Sequence, residues 1–362
     1  TLTDAPRGAK TVHPEAHRLV LEGRHFWNLR NEEGFARAEA AFNRALSLDP
    51  QFAEAHAGMA EVCVIRANYR QFDGFGETTG DLKRARLEAQ RAIELDATLA
   101  EPHAVLGFVS LLEGSLAESE QQFQRAVALN RNSAVIHCWY ALSLATQGKL
   151  DASLAAYERA STLDPLWFIN LHRHAWHLLR ARRFEEALRV NEQAASLLKD
   201  IHIPNEAVRA QILLELGKKA EAIAAARLVT QRPDKEPRWQ ADSDAIWVLR
   251  QAGLEQEATE YAARLFKKLP ADSYNRGFVL AALGRFDEAL PFLERALVTP
   301  SRGLFWDPMW DRWRDDARFQ QLLVKLGRAD DYKTARNTLT RMLKQSETTI
   351  TRGRKPDSSD GE

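Results

Sequence analysis

The chain has 362 residues, 45% of them hydrophobic and 28% charged, and its 50 basic and 50 acidic side chains cancel to a net charge of zero. A balanced surface supplies no long-range field for a polyanion, so no nucleic-acid partner is expected. The longest largely apolar run, Val105 to Leu112, falls well short of the ~18 residues a spanning helix needs, so no membrane insertion is expected either.

In chain order, residues 1–13 read as a linker. The sequence starts Thr1-Leu2-Thr3 without an initiator Met, which points to a processed product or a fragment, and helix is expected from Pro14, a residue suited to a first helical turn. From residue 14 to about residue 300 the text repeats. Gly114, Gly148, Gly217, Gly253 and Gly284 each sit in a similar phrase, and each is followed five residues later by a small residue: Ser119, Ser153, Ala222, Ala258 and Ala289. The first two glycines are 34 apart, and a second marker keeps the same step, with Ala97, Arg131 and Pro165 closing the phrases Leu95-Asp96, Leu129-Asn130 and Leu163-Asp164. A fixed period of this length is the mark of a helical-hairpin array. Small residues (Gly107, Ala126, Ala141, Ala160) alternate with bulky ones (Phe42, Phe123, Tyr157) where helices must cross closely.

This register predicts eight hairpins, over 14–50, 52–97, 100–131, 134–165, 168–200, 203–234, 240–270 and 273–300. The second carries an insertion at 68–80 whose Gly74, Gly76, Gly80 and Thr78-Thr79 predict a loop. Cys63 and Cys138 lie two repeats apart, too distant to bridge. After residue 300 the stripe Trp306, Trp310, Trp313 predicts a segment, 301–345, that covers the apolar end of the last hairpin, with a helix from Ala329 to about Leu343 adding to it. Residues 346–362, rich in Thr, Arg, Gly, Asp and Ser, read as a disordered tail.

The pattern resembles tetratricopeptide repeats. Ala38/Ala45, Ser119/Ala126, Ser153/Ala160 and Ala289/Ala296 match the second-helix signature, and Leu106-Gly107 that of the first, while His56, His103 and His137 stand where the signature Trp is usual. The opening (Pro14-Glu15-Ala16-His17, Gly23-Arg24-His25, Trp27-Asn28, Asp49-Pro50), the phrase His137, Trp139-Tyr140 and the closing segment 304–323 are similar to a bacterial group. In that group the repeats form the C-terminal half of regulators fused to adenylate or guanylate cyclase, winged-helix or Ser/Thr kinase domains. The chain departs from the closing phrase at Arg312 and Ala317, where prolines are usual, which predicts a more continuous helix there. The resemblance implies an all-α, right-handed superhelix of about eight hairpins with a C-terminal cap, and a module that receives a partner rather than one that supplies an activity.

In such an array the first helix of each hairpin lines the concave groove. The register assigns Arg24, Trp27, Phe108, Trp139, His172, Arg173 and Trp176 to it, an aromatic and arginine surface suited to a protein or peptide partner. The Lys/Asn clamp that related domains use on chaperone C-termini is missing, its positions being held by Gly23, Trp27, Gly58, Glu101 and Val105. His172, His174 and His177 are the densest set of metal-type ligands, but His172 and His174 point to opposite sides of a helix, so no metal and no cofactor is expected. Neither a phosphate-cradling loop nor a nucleophile elbow occurs. The expectation is a non-catalytic interaction scaffold, the partner- or signal-sensing module of a bacterial regulator. The alternatives are a substrate-targeting arm for an enzyme encoded upstream and a self-associating, homo-oligomeric scaffold. A cytoplasmic setting is favoured, with a periplasmic one open if an anchor lies upstream.

Overall fold

A computed structural model describes residues 13–73, 78–232, 238–294 and 306–353. Among these every regular element is a helix. The first of two compact units, residues 1–131, holds α1 (Pro14–Trp27), α2 (Glu32–Leu48), α3 (Ala53–Asp73), α4 (Thr79–Leu95), α5 (Glu101–Glu113) and α6 (Leu116–Leu129). The second, residues 132–362, holds α7 (Ala134–Thr146), α8 (Leu150–Leu163), α9 (Phe168–Arg180), α10 (Phe184–Ser196), α11 (Ile203–Glu215) and α12 (Lys219–Thr230). It continues with α13 (Trp239–Gln251), α14 (Glu255–Phe266), α15 (Asn275–Ala282), α16 (Phe286–Leu293), α17 (Ala317–Lys325) and α18 (Ala329–Gly353), with a 3-10 turn at Pro308–Trp313. The first sixteen helices pair in sequence, giving the eight hairpins of the repeat register.

Both sequence markers have a local cause. The repeated glycines sit between first and second helices with φ from 73° to 88°, a left-handed turn that an ordinary side chain resists. The Asp and Asn of the second marker end the second helices. Asp49, Asp96, Asn130 and Asp164 are each bonded through the backbone N–H to the small residue four positions back. The carboxylates of Asp49 and Asp96 then accept the N–H of Gln51 and Thr98, each at 2.9 Å, turning the chain into the next hairpin.

Packing follows from the small-and-large alternation. The Phe42 ring lies against Gly23 of α1 and Gly58 of α3 so closely that a Cβ would approach it to 2.7 Å and 2.4 Å. Phe42, Phe123 and Tyr157, the bulky residues of three second helices, are all essentially unexposed. Cys63 and Cys138 are buried free thiols.

Three segments differ from the sequence expectation. The expected loop at 68–80 begins as helix, because nothing between Asn68 and Asp73 breaks α3; residues 74–77 lie outside the described residues. The closing segment is not one continuous helix. The 3-10 turn stops at Arg314, and Asp316 starts a separate helix by accepting the N–H of Arg318 at 2.9 Å, so the cap residue rather than a proline makes the break. Finally α18 runs to Gly353, beyond the expected helix end near Leu343 and into the tail expected from residue 346, since no Gly or Pro interrupts it sooner. Residues 1–12 of the expected linker, and residues 295–305 and 354–362, lie outside the described residues.

Candidate functional site

The seven groove candidates divide between the units and are described in each separately. In the first unit Arg24 is exposed, whereas Trp27 and Phe108 are buried. The Arg30 guanidinium covers the Trp27 ring at 3.5 Å. Beside them Glu61 of α3 has its pKa pushed up to about 7, by burial first and then by Glu101, against the pull of Arg24 and Arg30.

In the second unit Trp139 is buried, and three candidates share α9. His172 is half-buried, with Nδ1 3.3 Å from Asn205 Oδ1 and its ring against Phe168 and His202. Burial holds its pKa down at about 3, with a further contribution from His202. Arg173 is half-buried, and its Nη1 makes no hydrogen bond among the described residues. Trp176 is buried under the Arg180 guanidinium, 3.7 Å from its ring, and its indole N–H likewise has no acceptor among the described residues.

Arg180 leads to an arrangement that the sequence register passes over. Its guanidinium donates to both carboxylate oxygens of Asp307, at 2.8 Å and 3.1 Å, with both residues about 3% exposed. Two residues on, past the end of α9, Arg182 donates to the Trp306 carbonyl at 3.1 Å and to Asp311 at 2.6 Å. The Trp306 indole N–H donates to the Ala145 carbonyl at 3.0 Å, and Arg328 donates to the Thr146 carbonyl, both at the C-terminal end of α7 where helix carbonyls carry partial negative charge. Residues 306–311 therefore lie across the ends of α7 and α9, tied by charge-assisted and bidentate bonds. Nearby, Gln211 of α11 donates to buried Asp244 of α13 at 2.9 Å; burial, and then the neighbouring Asp307, raise the Asp244 pKa well above the usual carboxylate range.

The rest of the closing segment is held by rings. Trp310 meets Phe278 of α15 edge-on at 5.8 Å, and Trp313 stacks on Phe286 of α16 at 4.4 Å, covering the last hairpin. Trp306 instead stacks on Tyr332 of α18 at 5.5 Å. The aromatic stripe thus reaches α15, α16 and α18.

Arg182 was findable. It lies 34 residues after Gly148, in the turn where five other hairpins have Gly, and it keeps the left-handed conformation at φ 63°. Asp307 gave no such signal, because its partner is 127 residues away. Among the described residues no three His, Cys, Asp or Glu side chains converge as a metal site, and no helix is long and apolar enough to cross a membrane.

A family model for the tetratricopeptide repeat matches residues 134–165, which is the α7–α8 hairpin. Among solved structures the chain is similar to the human IFIT1 dimer with m7Gppp-AAAA, at 16% identity and a TM-score of 0.53 over 78% of this chain and 71% of that one. It is also similar to PilF of Pseudomonas aeruginosa (16% identity, TM-score 0.46, 61% and 96% covered) and to yeast Tom70 (15%, 0.48, 90% and 69%). No curated protein sequence matches. The family match and the IFIT1 likeness speak to the fold, an all-α solenoid of tetratricopeptide-type hairpins.

Proposed function

We propose that this chain is a non-catalytic, partner-sensing scaffold, the receiving module of a bacterial regulatory protein. The observation that carries the reading is the second unit's hold on a short segment at a distant point of its own sequence: Arg180 and Arg182 grip residues 306–311 as an array of this kind would grip a partner peptide. Exposed Arg24 and half-buried His172 and Arg173, with the unsatisfied indole of Trp176, supply further groups for a partner. The IFIT1 likeness is to a protein solved with an RNA ligand, but at 16% identity it informs the fold, and the zero net charge here favours a protein or peptide.

The test is capture from bacterial lysate by this chain and by an Arg24→Ala/Arg173→Ala variant, read by mass spectrometry with helicity monitored by circular dichroism. Buried Trp27 and Trp176 are left intact, since truncating them would remove packing as well as contact. A partner kept by the parent and lost by a folded variant supports the reading. No specific partner from either would remove it.

A further inference from the structure

We propose that the ends of α7 and α9 form a receptor for a Trp-Asp segment, filled here by the chain's own Trp306 and Asp307, and that partners compete for it with a peptide carrying the same aromatic–carboxylate pair. The inference rests on the scaffold reading above and names the chemistry of its ligand.

Three observations carry it. The receptor is assembled by groups outside the segment it holds. Arg180 lies on the Trp176 ring at 3.7 Å, and Arg182 is steadied by the Arg180 carbonyl at 2.7 Å, so both guanidiniums are aimed before a carboxylate arrives. Secondly, Arg182 occupies its turn at φ 63°, where the equivalent residue of five hairpins is Gly. A left-handed conformation is disfavoured for a non-glycine residue, and the side chain carried there is the one that reaches Asp311 and the Trp306 carbonyl.

Thirdly, the segment has two kinds of attachment. Trp310 and Trp313 fasten it by rings to α15 and α16 and Trp306 stacks on Tyr332 of α18, whereas its contacts with the ends of α7 and α9 are directional and polar: an indole N–H on a helix-end carbonyl, a bidentate Arg on a carboxylate, and a second Arg on a carbonyl and on Asp311. An equivalent indole and carboxylate can therefore replace the tip at 306–307, the incoming ring taking the place of Trp306 on Tyr332, while Trp310 and Trp313 stay in place. The partner segment needs an indole or similar donor next to an Asp, because an amide in place of the carboxylate would leave the buried Arg180 without a counter-charge.

The experiment uses the full chain and a fluorescent, end-capped peptide with the sequence of residues 306–311, followed by anisotropy. Parent protein is compared with Trp306→Ala/Asp307→Asn, which empties the receptor, and with that variant carrying Arg180→Gln and Arg182→Gly in addition. The emptied receptor is expected to bind the peptide at least tenfold more tightly than the parent, and the arginine changes to reverse this. A competitor peptide with Asn for Asp should compete at least tenfold less well. If the double variant loses its helical circular dichroism, Trp306→Phe replaces it; that change removes only the indole donor and should still raise affinity a few-fold. Equal affinity in parent and emptied receptor, or binding that survives the arginine changes, overturns the proposal and leaves residues 306–311 as structure. Should that happen while Arg24→Ala/Arg173→Ala still abolishes partner capture, the scaffold reading stands without this one.

Discussion

Gly148 and Gly217 occupy the same turn of two hairpins, with φ of 73° and 74°, yet a Cβ on Gly217 would meet nothing whereas one on Gly148 would come within 2.2 Å of the Asp331 carbonyl of α18. The pair separates backbone strain from the seat of the closing segment. Gly217→Ala should cost about 1–2 kcal/mol, the left-handed penalty alone. Gly148→Ala should cost about 1–3 kcal/mol more, since α18 must shift to admit the methyl. Chemical denaturation of both variants measures the difference, and equal costs would mean that α18 does not rest on that turn in solution. A third glycine tests the packing rule of the array. Gly58→Ala forces the Phe42 ring to move and should lose about 1–3 kcal/mol, part of which Phe42→Leu should restore when the two are combined.

At the scale of elements, the histidines around α9 and α11 make stability depend on pH. His172 has its pKa held at about 3, and His174 and His202 at about 4, in each case chiefly by burial. These folded values lie below the unfolded one, so the neutral forms are favoured by folding. Their contribution is present above about pH 6.5 and is lost as pH falls towards 4, at roughly 1.4 kcal/mol per histidine for each pH unit. His202 also accepts the N–H of Asn205 at 3.3 Å to start α11, a bond that the protonated ring cannot accept. His202→Asn keeps a capping acceptor without the titration, so its melting temperature should fall less between pH 7 and pH 5 than the parent's. His56 has the opposite sign. Burial disfavours its charged form, but the hydrogen bond with Glu88 at 2.6 Å and the Pro50 carbonyl outweigh this and raise its pKa. Its contribution is present below pH 6.5 and is lost as pH rises through the raised value, so His56→Gln should enlarge the acid-induced fall. Asp244, with its raised pKa, also gains from acid, which is why variant and parent are compared at both pH values.

The helical hairpins were legible in sequence because they rest on local rules: in five of them a turn glycine with a small residue five positions on, and at the end of several an Asx turn closing the unit. A sixth turn glycine, Gly327 at φ 63°, joins α17 to α18 in the same way but escaped the pattern, because Tyr332 stands where the rule asks for Ala or Ser. That Tyr is buried against Trp306 and Phe319, so the unit that breaks the pattern is the one that packs on the closing segment. The site was less legible. Local periodicity placed His172, Arg173 and Trp176 on one helix, but no local rule links Arg180 to an Asp 127 residues on.

For the whole molecule, the closing segment decides whether the array presents finished or unfinished surfaces. A chain ending at Glu294 loses the rings that cover Phe278 and Phe286, together with the counter-charge of buried Arg180. Removing one partner of a buried ion pair alone costs about 3–5 kcal/mol, and the uncovered aromatic faces add an incentive to associate. The shortened chain should therefore melt well below the full one, and its mass by light scattering should climb with concentration. The full chain serves as the discriminating control. A mass that stays constant across the series assigns the association to the uncovered hairpin, as the capping role requires. A mass that climbs in the full chain as well would locate a self-complementary surface elsewhere and favour the self-associating scaffold over the partner-sensing one. A shortened chain as stable as its parent would instead show that residues 306–353 are carried by the array without supporting it, and the tie between Arg180 and Asp307 would then matter for recognition alone.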